Sequence, residues 1–135
     1  MVIDTSALLA ILQDEPDRRA FNEAIEMADS RRMSVANFVE ASIVLEVRYG
    51  TEGRRDLDRF VERSGMELAA VDLDQAREAR LAFSRFGKGR HSAGLNYGDC
   101  FAHALARVLG EPLRYKGGDF AQTDIPRVAL PPYSD

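Results

Sequence analysis

Apolar positions along this chain form short continuous runs, separated by longer stretches in which they recur every three or four residues. Residues 1–3, Met1-Val2-Ile3, read as a very short buried strand that ends at Asp4. Residues 6–13 read as a helix. Pro16 suits a first helical turn, and Phe21, Ala24, Ile25 and Ala28 follow at helical spacing, so a second helix is expected to about residue 29. Residues 32–35 are a second short strand, and a strongly periodic helix over 36–49 stops at Gly50. A further helix covers 54–64, with Leu57, Phe60 and Val61 inward and Gly65 at its end. Residues 66–71 are a strand, and 72–86 a helix capped by Asp72 or Asp74. The 87–94 segment is glycine-rich and basic and reads as a mobile loop. Residues 96–109 are helical and stop at Gly110. A strand over 112–115, a turn or short helix over 117–122 and a last strand over 127–130 follow, before Pro131 and Pro132 end regular structure.

Short apolar strands alternating with helices predict an α/β domain, with a mainly parallel sheet and helices on both faces. No repeat, low-complexity segment or linker interrupts it, so residues 1–135 are expected to form a single domain. In such sheets ligands bind in the crevice beyond the carboxyl ends of the strands. Asp4 is at the carboxyl end of the first strand, and Asp119 follows the strand ending near Tyr115.

Composition narrows the chemistry. The 45% hydrophobic and 30% charged content is that of a globular chain. No stretch approaches the roughly 20 apolar residues of a membrane span. The apolar run at 7–12 is short and has no basic leader, so it is not read as a signal peptide and the chain is expected in the cytoplasm. A lone cysteine, Cys100, excludes an internal disulfide and a cysteine zinc site, and His91 and His103 do not form a paired-histidine motif. The net charge of −4 argues against a generic nucleic-acid coat. A nuclease survives this test if the acids gather in the site and the arginines lie elsewhere.

Four acids stand out: Asp4, Glu40, Asp99 and Asp119. Gathered by folding, they would repel one another and resist desolvation, and a hard cation such as Mg²⁺ or Mn²⁺ relieves both costs. Glu40 is flanked at helical spacing by Ala36, Asn37, Ile43 and Val44, with Met33 and Val47 a turn further out, a stripe expected to face the core. A carboxylate there needs a cation or several donors, and an internal ion pair with one of the many arginines is the plain structural alternative. Asp4, in Asp4-Thr5-Ser6, can cap the first helix and still turn one oxygen to the crevice. Ser6 is either a helix-start residue or a hydroxyl that orients a phosphate or water. Asn96 suits an N-cap, which puts Asp99 at the third helical position in a box-like arrangement. Gly98 costs roughly 1 kcal/mol in a helix relative to Ala, so its small size suggests a close approach. Asp119, in Lys116-Gly117-Gly118-Asp119-Phe120, has a turn-capping reading beside the metal reading. Asp124 reads as a turn residue, His103 as packed or at the rim, and Cys100 as core. The basic loop bearing Arg85, Lys88, Arg90 and His91 leads directly towards Asp99 and could hold a polyphosphate backbone.

Val2-Ile3-Asp4-Thr5-Ser6-Ala7-Leu8, Glu40, Leu95-Asn96-Tyr97-Gly98-Asp99-Cys100 and Lys116-Gly117-Gly118-Asp119-Phe120 together resemble the motifs of PIN domains, in order and at family-like spacing over essentially the whole chain. Among these the chain is similar to the VapC toxins of prokaryotic type II toxin–antitoxin modules. The resemblance implies a three-layer α/β/α sandwich, a Mg²⁺- or Mn²⁺-dependent endoribonuclease, homodimerisation and inhibition by a VapB-type antitoxin. It places the acidic quartet on Asp4, Glu40, Asp99 and Asp119 as catalytic metal ligands, and a helper hydroxyl on Ser6. Ser6 and Asn96 are expected to position substrate, and Arg85, Lys88 and Arg90 to contact RNA. Gly118 departs from the pattern, since many relatives carry Asn or Asp there. The apolar residues Leu8, Leu9, Ile11 and Leu12 exceed what one small core needs and are the expected dimer surface. Two other classes stay open: a metal-dependent phosphohydrolase acting on a small ester, and a non-catalytic PIN scaffold that binds a protein partner.

Overall fold

The computed structural model describes residues 1–117 and 120–126. The element order is β1 (Val2–Ile3), α1 (Thr5–Leu12), α2 (Arg18–Met27), β2 (Arg32–Ser34), α3 (Val35–Tyr49), α4 (Thr51–Ser64), β3 (Glu67–Ala69), α5 (Leu73–Phe86), α6 (Tyr97–Leu109), β4 (Leu113–Arg114) and a short 3₁₀ helix (Phe120–Gln122). The four strands form one parallel sheet in the order β3-β2-β1-β4. The chain leaves β1 in one direction through β2 to β3 and returns on its other side as β4. The crevice between the carboxyl ends of β1 and β4 is therefore the topological switch point, where such sheets bind ligands. The strand expected over 127–130 lies outside the described residues.

β1 is central and fully buried, so both its residues are apolar. Its side chains alternate between the two faces. Ile3 joins a core built with α1 to α4 from Leu8, Phe21, Ile25, Ala41, Leu45 and Leu57. Val2 joins a second core with α5, α6 and β4, including Ala79, Ala82, Leu95, Leu105 and Leu113. Two cores on one sheet make the three-layer sandwich. Helix ends follow local chemistry. Ser34 caps α3 through the Ala36 N–H (3.2 Å), Asp72 and not Asp74 caps α5 through the Gln75 N–H (2.9 Å), and Gly65 and Gly110 close α4 and α6 in the left-handed conformation.

Three expectations are corrected by the packing. Only the first part of the stripe around Glu40 faces the core: Met33 and Asn37 are buried, but Ile43 is 58% and Val47 84% exposed, and beyond Glu40 α3 buries Ala41 and Leu45 instead. α3 is apolar on more than one face, and α4 and the sheet take the side that carries Leu45. Conversely, Leu8 and Ile11 are buried, with Leu9 and Leu12 packed against the same core, so the first helix is used internally. The 87–94 loop is a bonded turn and not a slack one. Arg90 and His91 N–H donate to the Gly87 carbonyl, Lys88 N–H to Leu95, Gly94 N–H to His91, and Ala93 N–H to the His91 ring.

α4 begins three residues before its apolar pattern because Gly50, at φ +69°, turns the chain straight from α3 into it. Gly53 then lies against the Leu45 backbone of α3, and a Cβ built there would overlap the Leu45 carbonyl. Helix propensity favours Ala over Gly by about 1 kcal/mol. The clash should outweigh that, so Gly53→Ala is expected to destabilise the protein by roughly 1–3 kcal/mol. Urea unfolding measures this directly, and a stabilised variant would show that the helix pair can separate freely.

Candidate active site

Asp4 follows β1 directly, and its backbone N–H donates to the Arg114 carbonyl of β4 (3.0 Å), which holds it at the switch point. The residue is 2% exposed. Its Oδ2 accepts from the Ser6 N–H (3.0 Å) and the Ser6 hydroxyl (2.6 Å), so Asp4 does cap α1. Its Oδ1 is buried and takes no hydrogen bond. Ser6 Oγ in turn accepts the Lys116 N–H (2.9 Å), which ties the chain after β4 to the same carboxylate. The Lys116 ammonium is held by Glu15 (2.5 Å) and Asp17 (3.6 Å), drawing the α1–α2 connection to the same edge.

Glu40 reaches this point from α3. Its Oε1 accepts from the Thr5 hydroxyl (2.6 Å) and, at 3.4 Å, from the Asn37 amide. No arginine pairs with it among the described residues, so the internal-ion-pair reading does not hold. Asn37 is fully buried and also donates to the Gly98 carbonyl (2.9 Å). The Glu40 carboxylate lies against Gly98 so closely that any Cβ at that position would overlap it. This is the close approach that the helix-opening glycine suggested.

Asp99 is delivered by α6. Asn96 Oδ1 accepts the Asp99 N–H (2.9 Å), while Asp99 Oδ2 accepts the Asn96 N–H (3.0 Å), a complete capping box. The cap fixes the carboxylate within the first turn, where the helix N-terminus favours negative charge. Asp4, Glu40 and Asp99 thus come together, while Asp119 lies outside the described residues. Thr5 and Asn37 were not among the residues singled out by sequence. The only signals were Thr5 beside Asp4, and Asn37 one helical turn before Glu40.

The electrostatics follow. Burial pushes the Asp4 carboxyl up from 3.8 to about 7; the Ser6 hydrogen bonds pull it back in part, and the charges of Asp99 and Glu40 raise it further. Burial likewise lifts the Cys100 thiol to about 11, with Asp99 adding to it. Among the described residues no three acidic, histidine or cysteine side chains form a complete ligand set. The donor set nevertheless fits a hard cation: oxygen ligands, an unpartnered buried Asp4 oxygen, and neighbouring charges that resist one another. Neither histidine serves the site. His103 is packed beneath Phe86 (5.7 Å) with its Nε2 3.4 Å from Asp124, and burial holds its pKa below 6.5. Asp124 pairs with Arg107 (2.6 Å), which pins the end of the described chain to α6.

A family model described as PIN domain matches residues 1–126. Ribonuclease VapC30 of Mycobacterium tuberculosis is 53% identical over 131 residues, covering 97% of this chain and 100% of that one. A ribonuclease VapC of Mycolicibacterium smegmatis is 55% identical over 128 residues, covering 95% and 99%. The fold also matches the crystal structure of Mycobacterium tuberculosis VapC20, described as a sarcin-ricin loop cleaving toxin, with a TM-score of 0.78 at 16% identity over 96% of this chain and 98% of that one. A toxin–antitoxin complex from Klebsiella pneumoniae matches with a TM-score of 0.67 at 16% identity, over 91% and 92%.

The rise in the Asp4 pKa has a measurable sign. Its folded pKa lies above the unfolded value, so the stability it contributes is fully present below pH 3.8 and is lost as pH rises through about 7. A rise of that size corresponds to on the order of 4 kcal/mol. Urea unfolding in a chelator from pH 4 to 8 should show this decline, and Asp4→Asn should flatten it. Adding Mg²⁺ at pH 8 should raise the wild-type melting temperature more than that of the variant. Identical pH profiles for the two proteins would remove the strain assigned to Asp4.

Proposed function

This chain belongs to the PIN domain family and, within it, to the VapC ribonucleases, and on that premise we propose that it is a divalent-metal-dependent endoribonuclease, the toxin of a VapBC-type module. Residues 1–135 are taken as one nuclease domain that works in the cytoplasm. The observation that carries the reading is the way the carboxylates are held. Asp4 and Glu40 each anchor one oxygen on local donors and keep the other off those donors, as a ligand site requires. A scaffold that only bound protein would gain nothing from three acids arranged against their own repulsion.

Asp4 and Asp99 are assigned as the main ligands of Mg²⁺ or Mn²⁺, with Glu40 and Asp119 acting through water or on a second ion that arrives with substrate. A bound ion would supply positive charge beside the scissile phosphate and acidify an attacking water. Ser6 holds Asp4 in place, and Asn96 holds Asp99 and stands exposed at the rim, where substrate can reach it. The first turns of α1 and α6 converge on the site, and their N-termini favour a phosphate. Hydrolysis by water leaves a 3′-hydroxyl and a 5′-phosphate, and it needs neither a histidine nor a 2′-hydroxyl nucleophile.

Partners follow from the same reading. The substrate is RNA and the inhibitor a VapB-type antitoxin. Homodimerisation is retained on new grounds: the apolar residues left exposed include Val39, Ile43 and Val47 on α3, with Leu81 and Phe83 on α5. Arg85, Lys88 and Arg90 are all exposed, and the Ser92 hydroxyl ties their loop to Gln122 (2.5 Å), beside the segment that carries Asp119. They are assigned to the RNA backbone.

Asp4→Asn and Asp99→Asn are each expected to lower RNA cleavage by more than 100-fold while the protein stays folded, since each removes charge and keeps size. Cleavage of a labelled RNA in Mg²⁺ and in chelator reads this out, and full activity in Asp99→Asn would sink the site assignment. Lys88→Ala combined with Arg90→Ala should raise KM with little change in kcat. It should also reduce the slope of log affinity against log salt by about 0.7 for each phosphate that is no longer neutralised. Unchanged binding and slope would make the loop a solvated turn.

A further inference from the structure

We propose that Thr5 and Asn37 are positioning residues for Glu40, fixing one oxygen of its carboxylate so that the other is presented to the site, with Gly98 supplying the room. The inference rests on the nuclease reading above and deepens it.

Glu40 leaves a long helix on a flexible side chain, so nothing in α3 alone aims its carboxylate. Thr5 removes that freedom. Its hydroxyl lies 2.6 Å from Glu40 Oε1 and 3.3 Å from the Asn37 carbonyl. The hydroxyl has one hydrogen, and the shorter contact, in the range of a charge-assisted bond, takes it. Thr5 is 7% exposed, and its branched side chain is stiff at χ1. Asn37 has two amide hydrogens. One goes to the Gly98 carbonyl at 2.9 Å, and the other points to the same Oε1 at 3.4 Å. Two donors on Oε1 fix the plane of the carboxylate.

The other oxygen, Oε2, takes no hydrogen bond among the described residues and is the atom nearest the position of a Gly98 Cβ. It therefore lies over the first turn of α6, one residue from Asp99. The three segments concerned are all helix openings: Thr5 begins α1, Asn37 lies in the first turn of α3 and Gly98 in the first turn of α6. Thr5 and Asn37 thus lock three helices to one another through the carboxylate that they orient. The same division of labour holds at Asp4, where Ser6 takes Oδ2 and leaves Oδ1.

Kinetics on a fluorogenic RNA, with Mn²⁺ titration calorimetry on metal-free protein, tests this in wild type, Thr5→Val and Thr5→Ser, each with and without Glu40→Gln. Thr5→Val keeps the shape and is expected to lower kcat at least tenfold with KM within twofold, and to weaken Mn²⁺ binding severalfold. Thr5→Ser keeps the hydroxyl and should stay within threefold of wild type. In the Glu40→Gln background Thr5→Val should add nothing further. Wild-type kcat and Mn²⁺ affinity in Thr5→Val overturn the proposal, as does the same further loss in the Glu40→Gln background. Should Thr5→Val fail to fold, denaturation of Gly98→Ala decides: it should be destabilised alone and relieved in the Glu40→Ala background, whereas equal cost in both backgrounds refutes the arrangement. If the wild-type protein cleaves no RNA with either metal, the nuclease reading falls, and the Mn²⁺ isotherms and the Gly98 cycle still judge the positioning.

Discussion

Asp4 has to be buried at the end of the central strand while two other carboxylates press on it, and much of this fold exists to make that tolerable. Left alone, the arrangement would relax by exposing Asp4, moving the acids apart or protonating one of them, and the Asp4 pKa is raised by burial first, with the charges of Asp99 and Glu40 adding to it. The protein resists it by local anchoring. Ser6 takes one oxygen of Asp4, Thr5 and Asn37 one of Glu40, and the Asn96 N–H one of Asp99. Ser6, Asn37 and Asn96 are near neighbours in sequence of the acids that they hold, and Thr5 reaches Glu40 from α1. The site thus costs folding free energy when empty, and a cation that binds only the native state recovers it.

The anchors also hold the architecture together. The same Ser6 hydroxyl that holds Asp4 receives the Lys116 N–H, so the chain leaving β4 is bound to the start of α1. Asn37 joins α3 to α6 through the Gly98 carbonyl. Two hydrophobic cores, one on each face of the sheet, are separated by strands two or three residues long. Such short strands contribute few backbone bonds, and the polar contacts at their carboxyl edge close the gap between the layers. The geometry of the proposed catalytic site and interlayer cohesion therefore depend on the same few side chains, and substitutions there should move activity and stability together, in opposite directions at Asp4.

Much of this was legible from residue order alone. The strand–helix alternation, the caps at Asp4, Asp72 and Asn96, and the glycine stops at Gly50, Gly65 and Gly110 depend on interactions within a few residues, which sequence spacing encodes directly. Asp4, Asp99 and Asp119 were visible because a carboxylate following an apolar strand or opening a helix is conspicuous, and Glu40 because it interrupts an apolar helical stripe. The role of Gly98 was partly visible too, since a glycine in a first helical turn invites a reason.

What only the tertiary structure decided was which of several locally equivalent surfaces is used. α3 carries more than one apolar face, and periodicity cannot choose between them; packing against α4 and the sheet buried Leu45 and left Ile43 and Val47 outside. The first helix looked too apolar because the partners that absorb it, Phe21, Ile25, Leu45 and Leu57 among them, come from α2, α3 and α4, and no single segment shows that they converge. The glycine-rich loop looked slack because its hydrogen bonds run to Phe86, Gly87 and Leu95 across a turn that sequence does not draw. Thr5 and Asn37 were silent for the same reason: a hydroxyl and an amide acquire a role only when folding sets Glu40 within hydrogen-bond reach. Local sequence determined the elements, the acids and the caps that hold Asp4 and Asp99, and long-range packing determined how the Glu40 carboxylate is held, because its Thr5 donor comes from a segment distant in the chain.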